Sequence, residues 1–124
     1  MTMTIDRTAS PDIEEKACPF CNYRGPSLIL FEDRWTFVIE PINPVVLGHV
    51  LAIPKPHVTQ PDADYAVHAF QIGAFYAMFH TEKYEDFNLI MSRGKHATQT
   101  IEHLHVHVVP RRENDGLKLP WSKG

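Results

Sequence analysis

The 124-residue sequence predicts an α+β domain: an antiparallel sheet of about five strands with one long helix packed on it. Three observations carry that prediction. Short β-branched and aromatic runs are separated by turn residues, one segment spaces its apolar residues helically, and a segment near the C-terminus alternates apolar and polar residues. Residues 1–16 show no apolar period and are expected to form a flexible arm, leaving residues 17–124 as a single domain. Ser27 to Glu40 reads as a hairpin turning at Glu32-Asp33-Arg34. Pro41-Ile42-Asn43-Pro44 interrupts regular structure, and His49 to Ile53 reads as a third strand stopped by Pro54 and Pro56. Thr59-Gln60-Pro61-Asp62 carries helix-start signals, with Val67, Phe70, Ala74, Phe75 and Met78 forming the stripe expected to face the core. Phe87 to Met91 is a short strand, Ile101 to Val109 the clearest strand, and Gly116 to Gly124 a tail containing Trp121.

Composition excludes several function classes. Lys and Arg number 12 against 15 Asp and Glu, a net charge of −3, which argues against a general nucleic-acid binder because such affinity rests on clustered cations. No apolar run approaches the ~20 residues of a membrane span, and the first residues lack a signal-peptide core, so a cytoplasmic location without membrane contact is expected. Two cysteines cannot build a disulfide framework.

The chemistry concentrates in His103-Leu104-His105-Val106-His107-Val108-Val109. On a strand, alternation puts His103, His105 and His107 on one face and Leu104, Val106 and Val108 in the core. Successive rings would stand ~6.6 Å apart and converge on one point only by bending toward it. That point is either an anion or a metal ion. A neutral imidazole whose Nδ1–H donates to a backbone carbonyl leaves Nε2 free as a nucleophile near neutral pH. Cys18-Pro19-Phe20-Cys21 has the gap that lets two thiolates hold one ion at ~2.3 Å, whereas a thioredoxin-like redox role would need a strand before it and a helix after it. A reduced, buried pair without metal is the alternative.

The run His-apolar-His-apolar-His-apolar-apolar, followed by Pro110-Arg111, resembles the signature of the histidine triad family of nucleotide hydrolases and transferases. Gly48 to His57, with its Gly-His start and Pro-Lys-x-His end, is similar to a second family segment; Gln99 stands four residues before His103 and Gly94 five before Gln99. The resemblance implies that His105 attacks an α-phosphate, giving a nucleotidyl-histidine that water resolves. It also implies that His107 bonds a non-bridging oxygen, that Gln99 supports the leaving-group atom and that His49 lines the same pocket. The site's imidazoles are expected to supply the positive charge that offsets the phosphate. Some bacterial members complete a zinc site with histidines matching His57 and His103, so one structural Zn²⁺ on Cys18, Cys21, His57 and His103 is expected, with no organic cofactor. A homodimer is likewise implied by the resemblance.

Two positions depart from the family pattern. Pro41 stands where an acidic or amide side chain usually accepts the ribose hydroxyls, which leaves Glu40 or Asn43 to reach in its place. Ser92 stands where Asn is common and can still donate to a phosphate; with Gly94 it completes the substrate-binding set. His68 and His80 read as surface or packing residues without partners, and His96 lies in the loop before Gln99. The expected function is therefore a nucleotide hydrolase acting on phosphoanhydride or phosphoramidate bonds. The alternatives are a non-catalytic nucleotide-binding module, a nucleotidyl transferase, or a metal-dependent enzyme built on strand histidines.

Overall fold

A computed structural model describes residues 18–21, 23, 29–80 and 82–122; the arm expected over residues 1–16, and Ser27 and Leu28 of the expected hairpin, lie outside them. The chain runs β1 (Ile29–Glu32), β2 (Thr36–Ile39), β3 (Val50–Pro54), α1 (Asp64–Phe79), β4 (Asp86–Met91) and β5 (Val106–Arg111). The five strands form one antiparallel sheet in the order β1-β2-β3-β5-β4. The β1–β2 turn forms because Asp33 Oδ1 accepts the backbone N–H groups of Trp35 and Thr36. No helix among the described residues is long and apolar enough to cross a membrane.

Strand alternation divides the sheet into two faces. Val38, Val50, Ala52, Val106 and Val108 pack with Ala69 and Ala77 of α1, while Phe37, Ile39, Leu51 and Ile53 pack with Cys18 and Phe20 on the other side. His107, between Val106 and Val108 and paired across the sheet with Leu51 and Ile90, belongs to that second face. The helix thus backs the sheet and leaves the opposite face for the site.

The helix departs from the expected stripe. Its buried residues are Ala66, Ala69, Gly73 and Ala77, whereas Val67, Phe70, Phe75 and Met78 are exposed. The small-residue face wins because it lets the helix backbone approach the sheet: a Cβ at Gly73 would stand 3.1 Å from Val108 Cγ2. The helix also begins at Asp64, after the expected signals at Thr59 to Asp62, with Ala63 at the N-cap and no side-chain cap. Trp121 is 76% exposed.

Two of the histidines read as partnerless are engaged. His68 Nε2 lies 2.7 Å from Asp33 Oδ2, tying α1 to the β1–β2 turn, and His80 Nδ1–H donates to the Tyr76 carbonyl at 2.7 Å. Burial pushes the Asp33 carboxyl up, but the hydrogen bonds from His68 and from the Trp35 and Thr36 N–H groups outweigh it and hold its pKa below the ordinary value.

The close approach at Gly73 gives a direct test. Gly73→Val should lower unfolding free energy by about 1–3 kcal/mol through overpacking against Val108 and Leu89; equilibrium urea unfolding measures it, and an unchanged midpoint would contradict the packing described.

Candidate active site and metal-binding group

The strand carrying the triad is shorter than the alternation predicts. β5 starts at Val106, so of the three histidines only His107 is in the strand. The ladder ends there because the Leu104 N–H is given to the Val58 carbonyl, drawing residues 103–105 away from β3 toward the Pro54–Val58 segment. Leu104, Val106 and Val108 are fully buried as expected, and His105 and His107 line one cavity. Because the backbone hooks at this point, the His105 and His107 ring centroids are 5.0 Å apart, closer than extended spacing allows.

Backbone partners set the tautomers. The His103 carbonyl can only accept, so His105 Nδ1–H donates to it at 2.9 Å and Nε2 keeps its lone pair. Val45 N–H donates to His49 Nδ1 at 3.1 Å, which puts the proton of neutral His49 on Nε2. That Nε2–H donates to His107 Nδ1 at 2.9 Å, leaving the His107 proton on Nε2 as a donor. The site therefore presents one bare nitrogen and, beside it, one N–H. His49 itself falls one residue outside β3, in the turn that follows Gly48, where φ is +95°.

The cavity, of about 650 Å³, is walled by these three histidines, by Phe20, Tyr23, Ile39, Ile42, Leu51 and Ile101, and by Glu40, Pro41 and Asn43. Among the described residues no Lys or Arg lines it. Burial holds the pKa values of His49, His105 and His107 below the ordinary value. For His105 the bond to the His103 carbonyl opposes burial without overcoming it. For His107, burial followed by its neighbours His105 and His49 pushes the value down to about 4.

Gln99, Gly94 and Ser92 lie on the segment after β4 and are not part of that wall. Gln99 Oε1 accepts the Gly94 N–H at 2.8 Å, which fixes the amide and leaves Nε2 buried without a partner. The Gly94 N–H is thus spent on Gln99. Thr100 and Ile101, immediately after Gln99, do reach the cavity.

Cys18, Cys21, His57 and His103 come together as the cysteine spacing and the family pattern imply, their ligand atoms all within 4.8 Å of one another. Cys21 Sγ lies 3.1 Å from His57 Nδ1 and 3.4 Å from His103 Nδ1, and Cys18 Sγ 3.4 Å from His103 Nδ1. Tetrahedral zinc bonds would put S and N about 3.5 Å apart, so the group is close to the size of such a site. His103 Nε2–H donates to the Pro54 carbonyl at 2.6 Å, which turns the lone pair of Nδ1 toward the thiols. Two thiols and two imidazoles in this arrangement fit a metal ion that prefers a tetrahedral S₂N₂ set.

Sequence reasoning missed the Val45 N–H and Pro54 carbonyl, which carry no side-chain signal, and gave no role to Phe20 and Tyr23. Phe20 was in view inside the Cys-Pro-Phe-Cys motif.

Comparison with known proteins agrees with this geometry. The model of the HIT domain family matches residues 23–114. An adenosine 5′-monophosphoramidase of Saccharomyces cerevisiae is 31% identical over 127 aligned residues, covering 96% of this chain and 78% of the relative. An adenylylsulfatase of Arabidopsis thaliana is 36% identical over 108 residues, covering 81% of this chain and 55% of that protein. Among solved structures, a zinc-bound histidine triad family protein from Mycobacterium smegmatis superimposes with a TM-score of 0.73 at 33% identity, covering 84% of this chain and 81% of that one.

The depressed His107 value predicts acid sensitivity. Between the ordinary pKa of 6.5 and about 4 the unfolded chain binds a proton at residue 107 that the folded chain does not, so stability falls as pH falls through that window. Thermal unfolding from pH 7 to 4 should show Tm dropping, with a shallower drop in His107→Gln; an equal slope in both would place the linkage elsewhere.

Proposed function

The chain belongs to the HIT domain family, and on that premise we propose that it is a nucleotide hydrolase in which His105 attacks the α-phosphorus of a nucleotide joined to its leaving group by a phosphoanhydride or phosphoramidate bond. The observation that carries this reading is the His105 Nδ1–H bond to the His103 carbonyl, which leaves a bare Nε2 on a ring that lines the cavity. The names of the yeast and plant relatives, a monophosphoramidase and an adenylylsulfatase, support the same substrate class.

In this reading Nε2 of His105 forms a bond to phosphorus as the bond to the leaving group breaks. The positive charge that develops on the ring is met by the His103 carbonyl at Nδ1–H. His107, its Nδ1 held by the His49 Nε2–H, donates a hydrogen bond from its Nε2–H to a non-bridging phosphate oxygen, and the leaving group takes its proton from solvent. Water then attacks the phosphorus, the bond to His105 Nε2 breaks to release the nucleoside monophosphate, and the proton lost by water goes to solvent. Gln99, whose amide is fixed by the Gly94 N–H outside the cavity wall, is the residue the family resemblance assigns to the leaving-group side. The apolar wall of Phe20, Ile42 and Ile101 suits a nucleobase, and Glu40 and Asn43, flanking Pro41, are the groups available to ribose hydroxyls.

The metal reading is one zinc ion per chain on Cys18, Cys21, His57 and His103. With all four ligands from protein, a bound ion supplies structural cross-linking and no open position for water. We propose further that the chain pairs with a second copy; the exposed row of Val67, Phe70 and Met78 and the open edge of β4 support this.

Three measurements test these readings. His105→Ala should cut release of AMP from adenosine 5′-phosphoramidate by more than about 10³-fold while AMP still binds, and mass spectrometry of quenched wild type should find the nucleotidyl adduct on residue 105; undiminished turnover in the variant refutes the nucleophile. Metal analysis of purified protein should give one zinc per chain, and a chelator should lower Tm. Sedimentation equilibrium should return twice the monomer mass, and a monomer at all concentrations would remove the pairing.

A further inference from the structure

The metal-binding group and the catalytic cavity share a wall. Only Pro19 and Phe20 separate the two thiols, and both line the cavity that holds His105 and His107. Pro19 also lines the smaller depression over Cys18, His57 and His103, as do Thr100 and Ile101. Phe20 is 7% exposed and touches one histidine on each side of this wall. Its ring stands edge-on to His103, a member of the metal-binding group, with centroids 5.8 Å apart and an 83° interplanar angle. Toward His105 the distance is 5.2 Å and the angle 75°. Edge-to-face contacts of this kind are directional, so moving the Phe20 ring moves the surface against which His105 is seated.

The Cys18–Cys21 loop belongs to no strand or helix, so no sheet ladder fixes the position of Phe20. Its ring packs on Phe37, Ile39, Leu51 and Ile53 of the sheet, and the contacts of the thiols with His57 and His103 hold the two ends of the loop. A tetrahedral ion bonded to both cysteines sets the loop's span and its distance from His103, and thereby where the ring between them rests.

We propose that Phe20 is a positioning residue for His105 whose seat is set by the metal-binding loop, so that metal and nucleotide bind this chain with positive coupling. The inference rests on the nucleotide reading above. Coupling of this kind is reciprocal: the factor by which the metal tightens nucleotide binding is the factor by which nucleotide tightens metal binding.

The experiment uses zinc and AMP as probes on the full chain. AMP affinity is measured by calorimetry on zinc-loaded protein and on chelated protein whose fold is checked by circular dichroism. Zinc affinity is measured by competition with a chelator, with and without saturating AMP, which keeps the test valid where the chelated chain loses its fold. Removal of zinc should weaken AMP binding by about tenfold, and AMP should raise zinc affinity by the same factor. Phe20→Ala should bind one zinc and lose most of that factor, while Phe20→Leu, which keeps more of the bulk, should retain part of it. A wild-type chain that binds AMP equally with and without zinc overturns the inference, and so does a Phe20→Ala chain that keeps the full coupling. Should loaded wild type fail to bind AMP at all, the nucleotide reading falls, and this inference with it.

Discussion

Three of the imidazoles at this site are each held by a backbone group with one possible role. The His103 carbonyl takes the Nδ1 proton of His105, the Pro54 carbonyl takes the Nε2 proton of His103, and the Val45 N–H occupies Nδ1 of His49. A carbonyl cannot donate and an amide N–H cannot accept, so these three contacts decide which nitrogen of each ring is bare. From that follow a free nitrogen at 105, a metal-ready nitrogen at 103 and, through His49, a donor at 107. Burial reinforces the arrangement by disfavouring the charged rings, which would carry a proton on every nitrogen.

The fold serves this arrangement by giving the two faces of the sheet different duties. The helix presses an alanine and glycine face onto one side, closely enough that Gly73 lies against Val108. A strand whose core residues are pinned there cannot roll, so the side chains of the opposite parity point to the other face. Tyr84 adds a constraint at the turn before β3: its hydroxyl donates to the Gly48 carbonyl, next to His49. Burial pushes the Tyr84 pKa up to about 12, which keeps the phenol a donor at every relevant pH.

The cavity's character also follows from burial. Among the described residues the wall holds no Lys or Arg, and its imidazole N–H groups act in a partly desolvated pocket, where hydrogen bonds are stronger than in water.

What the sequence determined by itself was whatever short-range pattern encodes. The two-residue period placed Leu104, Val106 and Val108 in the core and His105 and His107 on one cavity, because parity survives even where the strand ends early. The two-residue gap marked Cys18 and Cys21 as a ligand pair, and the family resemblance added His57 and His103, which the structure brings beside them. Tertiary structure alone decided the rest, since it depended on partners far away in the chain. Small residues rather than large ones face the sheet from the helix, because the fit to Val106 and Val108 rewards close approach. The strand stops at Val106 because Val58 competes for the Leu104 N–H. The tautomers at 49 and 107 hang on the Val45 amide, which every residue but proline possesses and no residue type announces.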